Sequence, residues 1–258
     1  MAKVNHTMSL SKILLGAMAI VFTQFSMPVL AETPGERVLR VMDSALTAGD
    51  DQYFVWQMTT RERGKPDRRI VFEVTIKGTE WRRIELLAPG DVKGIRYLVR
   101  SLTQMYVYLP AYRKVRRVAS HVKDQSFMGS AMNQDEMAIV TFSEAMTPKL
   151  LSETDVHWKL EVKQREGKEF PYPKMVLDIH KKYKQPSRLE YYNDRNMHIK
   201  TETRTDWECD GEIFHARVMN MVDHRRNDIE TTMEAKKWKV NTGVPDKFFT
   251  VRSLQRRR

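Results

Sequence analysis

Cysteine is almost missing from this chain: Cys209 stands alone among 258 residues. One thiol excludes an internal disulfide and a thiolate-held metal cluster. Its expected place is a partly buried small-residue position. Glycine and proline are sparse as well, at 11 and 10 residues. No Gly-x-Gly-x-x-Gly run, phosphate-binding loop, His-Glu-x-x-His or Gly-x-Ser-x-Gly occurs. These absences argue against nucleotide binding, metallopeptidase chemistry and common serine hydrolysis. His180, His198, His215 and His224 fall on different predicted strands with no carboxylate pattern beside them, so no metal site is expected. Asp135 and Glu136 are adjacent, and adjacent helix positions do not face each other. They suit a helix start better than paired acid–base work.

What is present begins with an export signal. Lys3 and Lys12 are positive, and Ile13 to Ala31 carries no charge. Val29-Leu30-Ala31 offers a cleavage site with Glu32 after it. The apolar stretch is short for a membrane span, which needs roughly 20 residues. The expected boundaries are a signal at 1–31 and a single domain at 32–258, working in the periplasm. The whole chain carries a formal charge of +11, and loss of Lys3 and Lys12 with no acid leaves +9. Outside the cytoplasm, such a charge points to anionic headgroups or an acidic partner, and no nucleic acid is expected.

The periodicity predicts one helix and then strands. Pro34 to Leu46 is the helix, with Thr33 as cap, Glu36 in the first turn, and Val38, Val41, Met42 and Ala45 on one face. Beyond Asp50 the period becomes two. Phe54, Trp56 and Met58, then Ile70, Phe72, Val74 and Ile76, alternate with other residues, and the pattern runs on to Val240. About eleven strands with polar partners on one face predict a large antiparallel sheet, curled or closed into an open barrel. Trp56, Val74, Val107 and Trp158 are assigned to the inner face.

Residues 119–154 interrupt the series. Asn133 followed by Glu136 resembles a capping box and predicts a short helix. A long loop in a regular sheet is often a lid. Phe127 and Met128 either line a ligand cavity or plug the barrel end. Arg113, Lys114, Arg116 and Arg117 form a basic strand that is either a solvated face or a contact for headgroups or a partner. Arg256-Arg257-Arg258 reads as a frayed tail.

Several segments together resemble the outer-membrane lipoprotein-sorting protein family, and within it the LolA-like branch often encoded beside RND-type exporters. They are Pro89-Gly90-Asp91-Val92-Lys93-Gly94, Tyr106-Val107-Tyr108-Leu109-Pro110-Ala111, Arg113-Lys114-Val115-Arg116-Arg117, Ser126-Phe127-Met128-Gly129-Ser130, Asp135-Glu136-Met137, Leu189-Glu190-Tyr191-Tyr192 and Gly243-Val244-Pro245-Asp246-Lys247-Phe248-Phe249. The resemblance spans roughly residues 36 to 255. Ile95 stands where the branch often has threonine, and Ala131-Met132 replaces an Asp-aromatic pair.

The resemblance implies an incomplete antiparallel β-barrel with a helical lid and a hydrophobic cavity for acyl chains. The leading expectation is therefore a monomeric periplasmic carrier of lipid or acylated lipoprotein, without cofactor or catalysis. Trp56, Val74, Val107, Phe127, Met128 and Trp158 would be its lipid contacts. The alternative is an accessory or sensor subunit of an RND-family exporter, its barrel filled by its own side chains. An enzyme would need a nucleophile, base and orienting group at the cavity mouth.

Overall fold

A capping box starts the helix α1 (Pro34–Leu46). The Thr33 hydroxyl accepts from the Glu36 amide at 3.2 Å, and the Glu36 carboxylate accepts from the Thr33 amide at 2.8 Å. The buried stripe is Val38, Leu39 and Met42, while Val41 and Ala45 are only half-buried. Gly35 lets the helix press on a strand: a Cβ there would meet the Leu150 nitrogen at 3.2 Å and the Pro148 oxygen at 3.3 Å. Buried Asp43 accepts from the Phe142 and Ser143 amides at 2.7–3.0 Å, tying α1 to the end of the interrupting loop about a hundred residues on.

This computed structural model describes residues 31–79, 81–119, 125–139 and 141–256. The expected signal at 1–31 lies almost wholly outside them, as do Arg257 and Arg258. Thirteen strands follow α1: β1 (Asp51–Arg61), β2 (Arg68–Lys77), β3 (Trp81–Ala88), β4 (Arg96–Ser101), β5 (Gln104–Leu109), β6 (Lys114–Arg117), β7 (Met146–Glu153), β8 (His157–Gln164), β9 (Lys174–His180), β10 (Gln185–Tyr192), β11 (His198–Asp210), β12 (Ile213–Asp223) and β13 (Ile229–Val240). They form one antiparallel sheet in the order β6-β5-β4-β3-β2-β1-β13-β12-β11-β10-β9-β8-β7. Two meanders, β1–β6 and β7–β13, are thus joined along the β1–β13 pair. The outer strands β6 and β7 do not pair, so the barrel is incomplete.

Two expectations need correction. The described residues form thirteen strands, not about eleven; β7 lies inside the interruption at 119–154. It is an edge strand containing Pro148, mostly exposed, and its inward positions are only half-buried beyond Met146. The helical cover is α1, and the described part of the lid loop is not α-helical. It contains only 3-10 turns at Phe127–Gly129 and Glu136–Ala138, so α1 is the one α-helix among the described residues.

The register aligns one inner row across six strands: Trp238, Phe54, Val74, Ile84, Tyr97 and Val107 are successive partners. Inner side chains gather into two clusters. One holds Phe54, Trp56, Phe72 and Val74 with Phe127 of the lid. The other holds Val38, Leu39 and Met42 with Leu160, Leu177 and Leu189. A third cluster lies on the opposite face, where Leu98, Val244, Phe249 and Leu254 pack with Tyr106 and Tyr108. Tyr97, Leu98 and Val99 are consequently all buried, because β4 is covered on both sides. Cys209 is exposed rather than partly buried; the end of β11 that carries it is largely uncovered. No helix among the described residues is long and apolar enough to cross a membrane.

Candidate functional site

Between the inner face and the lid segment 132–139 with Phe142 lies a cavity of about 200 Å³. Phe54 and Trp56 of β1 and Phe72, Val74 and Ile76 of β2 line one side. Met132, Met137, Ile139 and Phe142 cover it, and Met219, Met221 and Met233 face it from β12 and β13. Methionine adapts its shape to varied apolar partners. The wall is mixed, however: Arg82, Glu136, Glu202, Arg204, Tyr191 and His215 also line it.

These polar groups form a buried network. Lys200, fully buried, donates to Glu136 at 2.7 Å and to the Asn133 side chain at 3.1 Å. The Tyr172 hydroxyl donates to the same Glu136 carboxylate. Glu136 also accepts from the Asn133 amide at 2.7 Å. The expected capping box is therefore half-made. Glu136 closes its part, but the Asn133 side chain turns to Lys200, and only a 3-10 turn follows. Deeper in, Glu202 accepts from Tyr191 at 2.6 Å and from Arg204 at 2.6 Å. Burial and then the Glu136 carboxylate hold the Tyr172 hydroxyl well above its ordinary range; burial and then Glu202 do the same for Tyr191. Burial also holds His215 below its usual value, against a bond to the Ala216 carbonyl and the charge of Glu208. It packs neutral between Phe54, Trp56 and Trp238.

Arg82 pins the lid. Its Nη1 donates to the Met137 carbonyl at 2.7 Å, and its Nη2 to the Ile139 carbonyl. Burial, then the charge of Arg204, pull its pKa down to about 10. Two further bonds hold the lid's other end: Arg226 to the Ser130 carbonyl at 2.7 Å and the Ala131 amide to Thr231 at 2.9 Å.

Of the residues singled out from sequence, Trp56 and Val74 line the cavity. Phe127 is 2% exposed and packs edge-on against Phe72 and Tyr97, at 6.1 and 5.6 Å. Met128 and Val107 pack on the same cluster, and Trp158 packs on the other. None of these four borders that cavity. Met128 has φ of 51°, a left-handed conformation beside Gly129 at 77°. Arg113, Lys114, Arg116 and Arg117 lie on the β5–β6 hairpin at the sheet edge, where Arg116 sits over exposed Tyr112. Arg82, Tyr172, Lys200, Glu202 and Arg204 were not foreseen. Among the described residues no group of three or more His, Cys, Asp or Glu is placed to hold a metal ion.

The open antiparallel meander is a fold shared with several solved structures, two of them described as lipoprotein-sorting or LolA superfamily proteins. A putative outer membrane lipoprotein-sorting protein domain from Vibrio parahaemolyticus is 20% identical, with a TM-score of 0.75 over 86% of this chain and 98% of its own. A LolA superfamily protein from Nitrosomonas europaea is 18% identical, with a TM-score of 0.70 over 84% and 97%. A DUF1329 family protein from Desulfovibrio piger is 25% identical, with a TM-score of 0.79 over 85% and 97%. Residues 78–256 match a family whose description reads "Uncharacterized protein". The chain belongs to that family. Comparison with curated proteins gave no match.

Proposed function

We propose that this protein is a periplasmic carrier that shields the acyl chain of a lipid or lipoprotein. The observation that carries the reading is the cavity between β1, β2 and the lid, whose aromatic and methionine walls suit a flexible hydrocarbon. Each methylene removed from water contributes about 0.8 kcal/mol. Ligand pockets typically run from roughly 300 Å³ upward. At about 200 Å³ the cavity is smaller than that, so a full acyl chain would require the lid to move. The bonds from Arg82 to Met137 and Ile139, and from Lys200 to Glu136, are the contacts that such a movement breaks. Residues 1–31 would direct export, 32–258 would be the working domain, and the mechanism needs no catalytic group. The basic β5–β6 edge would meet headgroups or a membrane partner.

Native mass spectrometry of detergent-free protein from the periplasm, with solvent extraction of what stays bound, tests this. A stoichiometric lipid or acylated peptide that passes to membranes is the expected result. Empty protein that also refuses added lipid would favour the accessory-subunit alternative.

A further inference from the structure

Among the described residues, Arg82 is the one cation of the cavity wall whose charge is unmatched. Its bonds go to two carbonyls, which carry no formal charge, and its buried Nε has no hydrogen-bond partner. The two carboxylates of the wall are committed elsewhere. Glu202 is held by Arg204 and Tyr191, and Glu136 by Lys200, Tyr172 and the Asn133 amide. Arg204 faces the same space and adds to the positive potential there. With its pKa at about 10, Arg82 stays protonated at neutral pH.

An uncompensated buried charge is costly, and an anion is the partner that relieves the cost. A bare inorganic anion would lose its hydration in a space otherwise walled by Phe72, Ile76, Met132 and Phe142. An amphiphile gains at both ends. Its head pairs with the guanidinium, which suits planar two-oxygen acceptors, and its chain leaves water along the aromatic wall.

We infer that the cavity selects amphiphiles with an anionic end, a carboxylate or phosphate ester, seated on Arg82 with Arg204 beside it. This rests on the carrier reading and names the ligand class it would take. The test uses mature protein stripped of co-purified ligand. Octanoate, octanol, acetate and inorganic phosphate are titrated in turn, read by calorimetry and by the fluorescence of Trp56 in the cavity wall. Octanoate is expected to bind about tenfold tighter than octanol, the size of one charge-assisted hydrogen bond. Acetate and phosphate alone are expected to show no binding in the same range. In Arg82→Gln the ratio of octanoate to octanol affinity should fall to near one. Arg204→Gln, which leaves the lid bonds in place, should reduce the ratio by a smaller factor, and it serves if Arg82→Gln does not fold.

Equal affinity of the two chains in the unmodified protein overturns this inference and leaves the carrier reading intact. A ratio unchanged in both variants also overturns it, as does acetate or phosphate binding as tightly as octanoate. If neither octanoate nor octanol binds, both readings fall.

Discussion

The two meanders share a topology and differ in what covers them. β1–β6 is packed on both faces: the lid lies inside, and the C-terminal turns around Phe249 and Leu254 lie outside. Even arginines are buried under that outer cover. Arg96 donates to the Leu254 carbonyl at 2.8 Å, and Arg83 lies over the Phe248 ring at 4.2 Å. β7–β13 is covered inside by α1, and its other face carries ion pairs such as Lys159–Asp178 and Arg188–Glu190. The inner walls differ too. The first meander offers Phe54, Trp56, Phe72 and Val74, and the second brings Glu202 and Arg204 among methionines. Because the cavity spans the seam, it is amphipathic. A ligand there meets hydrocarbon from β1 and β2, and charge from Arg82 of β3 and from the Glu202–Arg204 pair of β11.

The largest effect should come from breaking the charged interior of the second meander. Lys200→Met leaves Glu136 buried without its counter-charge, an imbalance that costs about 3–5 kcal/mol. For a domain of this size that lowers the melting temperature by roughly 10 °C. Adding Glu136→Gln should recover much of the loss. A double variant no more stable than Lys200→Met alone would show that packing, not charge, sets the cost.

The outer cover of the first meander comes next. Leu254 is fully buried against Leu98 and Phe249. Leu254→Ala should cost about 2–4 kcal/mol in denaturant unfolding. If the cover is only a loose tail, the midpoint will not move.

Asp51 ties that cover to the seam. Its carboxylate accepts from the Thr242, Gly243 and Val244 amides at 2.8–3.0 Å. Burial pushes its pKa up, but these bonds and the Thr242 hydroxyl outweigh it and hold the group below the ordinary 3.8. A depressed carboxylate contributes stability above its unfolded pKa, and this is lost as pH falls through the folded value. Asp51→Asn should therefore cost about 1.5 kcal/mol at neutral pH. The gap should narrow once the pH drops below 3.8. A gap constant with pH would remove the carboxylate from the account.

Much of this fold is legible in the sequence, and the difference between the meanders marks where legibility stops. The bounds and cap of α1 read out in full, because Thr33, Pro34 and Glu36 are local signals that the tertiary structure keeps, while its buried face shifts to Leu39. The hairpins read because their inner residues are apolar, as in Phe54, Val74 and Ile84. On β11, Lys200, Glu202 and Arg204 alternate like an ordinary wet face, yet they point inward. Period two says that a face is polar, not that it is solvated. The Asn133–Glu136 pair misleads for the same reason: it looks like a helix start, and a buried lysine sixty-four residues away takes up the carboxylate. Phe127 reads as apolar and movable, whereas its packing on Phe72 and Tyr97 is visible only once the lid is folded.

The smallest effect on stability, and the sharpest on the comparison, belongs to the free edge of the first meander. Arg113, Lys114, Arg116 and Arg117 have no ion-pair partner among the described residues, whereas Glu153 on the opposite edge strand is paired with Lys181 at 2.7 Å. Unpaired surface cations add little to folding, so replacing Arg113, Lys114 and Arg116 with glutamine should leave the melting temperature essentially unchanged. Near an anionic bilayer each such charge strengthens partitioning about fivefold. The triple variant should therefore bind vesicles rich in phosphatidylglycerol far more weakly. The difference from unmodified protein should shrink as salt shortens the screening length below about 8 Å. Lys159→Gln and Arg188→Gln on the second meander are the control, since their charges are already matched by Asp178 and Glu190. Equal losses per charge removed would mean that net charge alone brings the protein to a membrane. A loss confined to the first set would make the β5–β6 edge the side that meets headgroups.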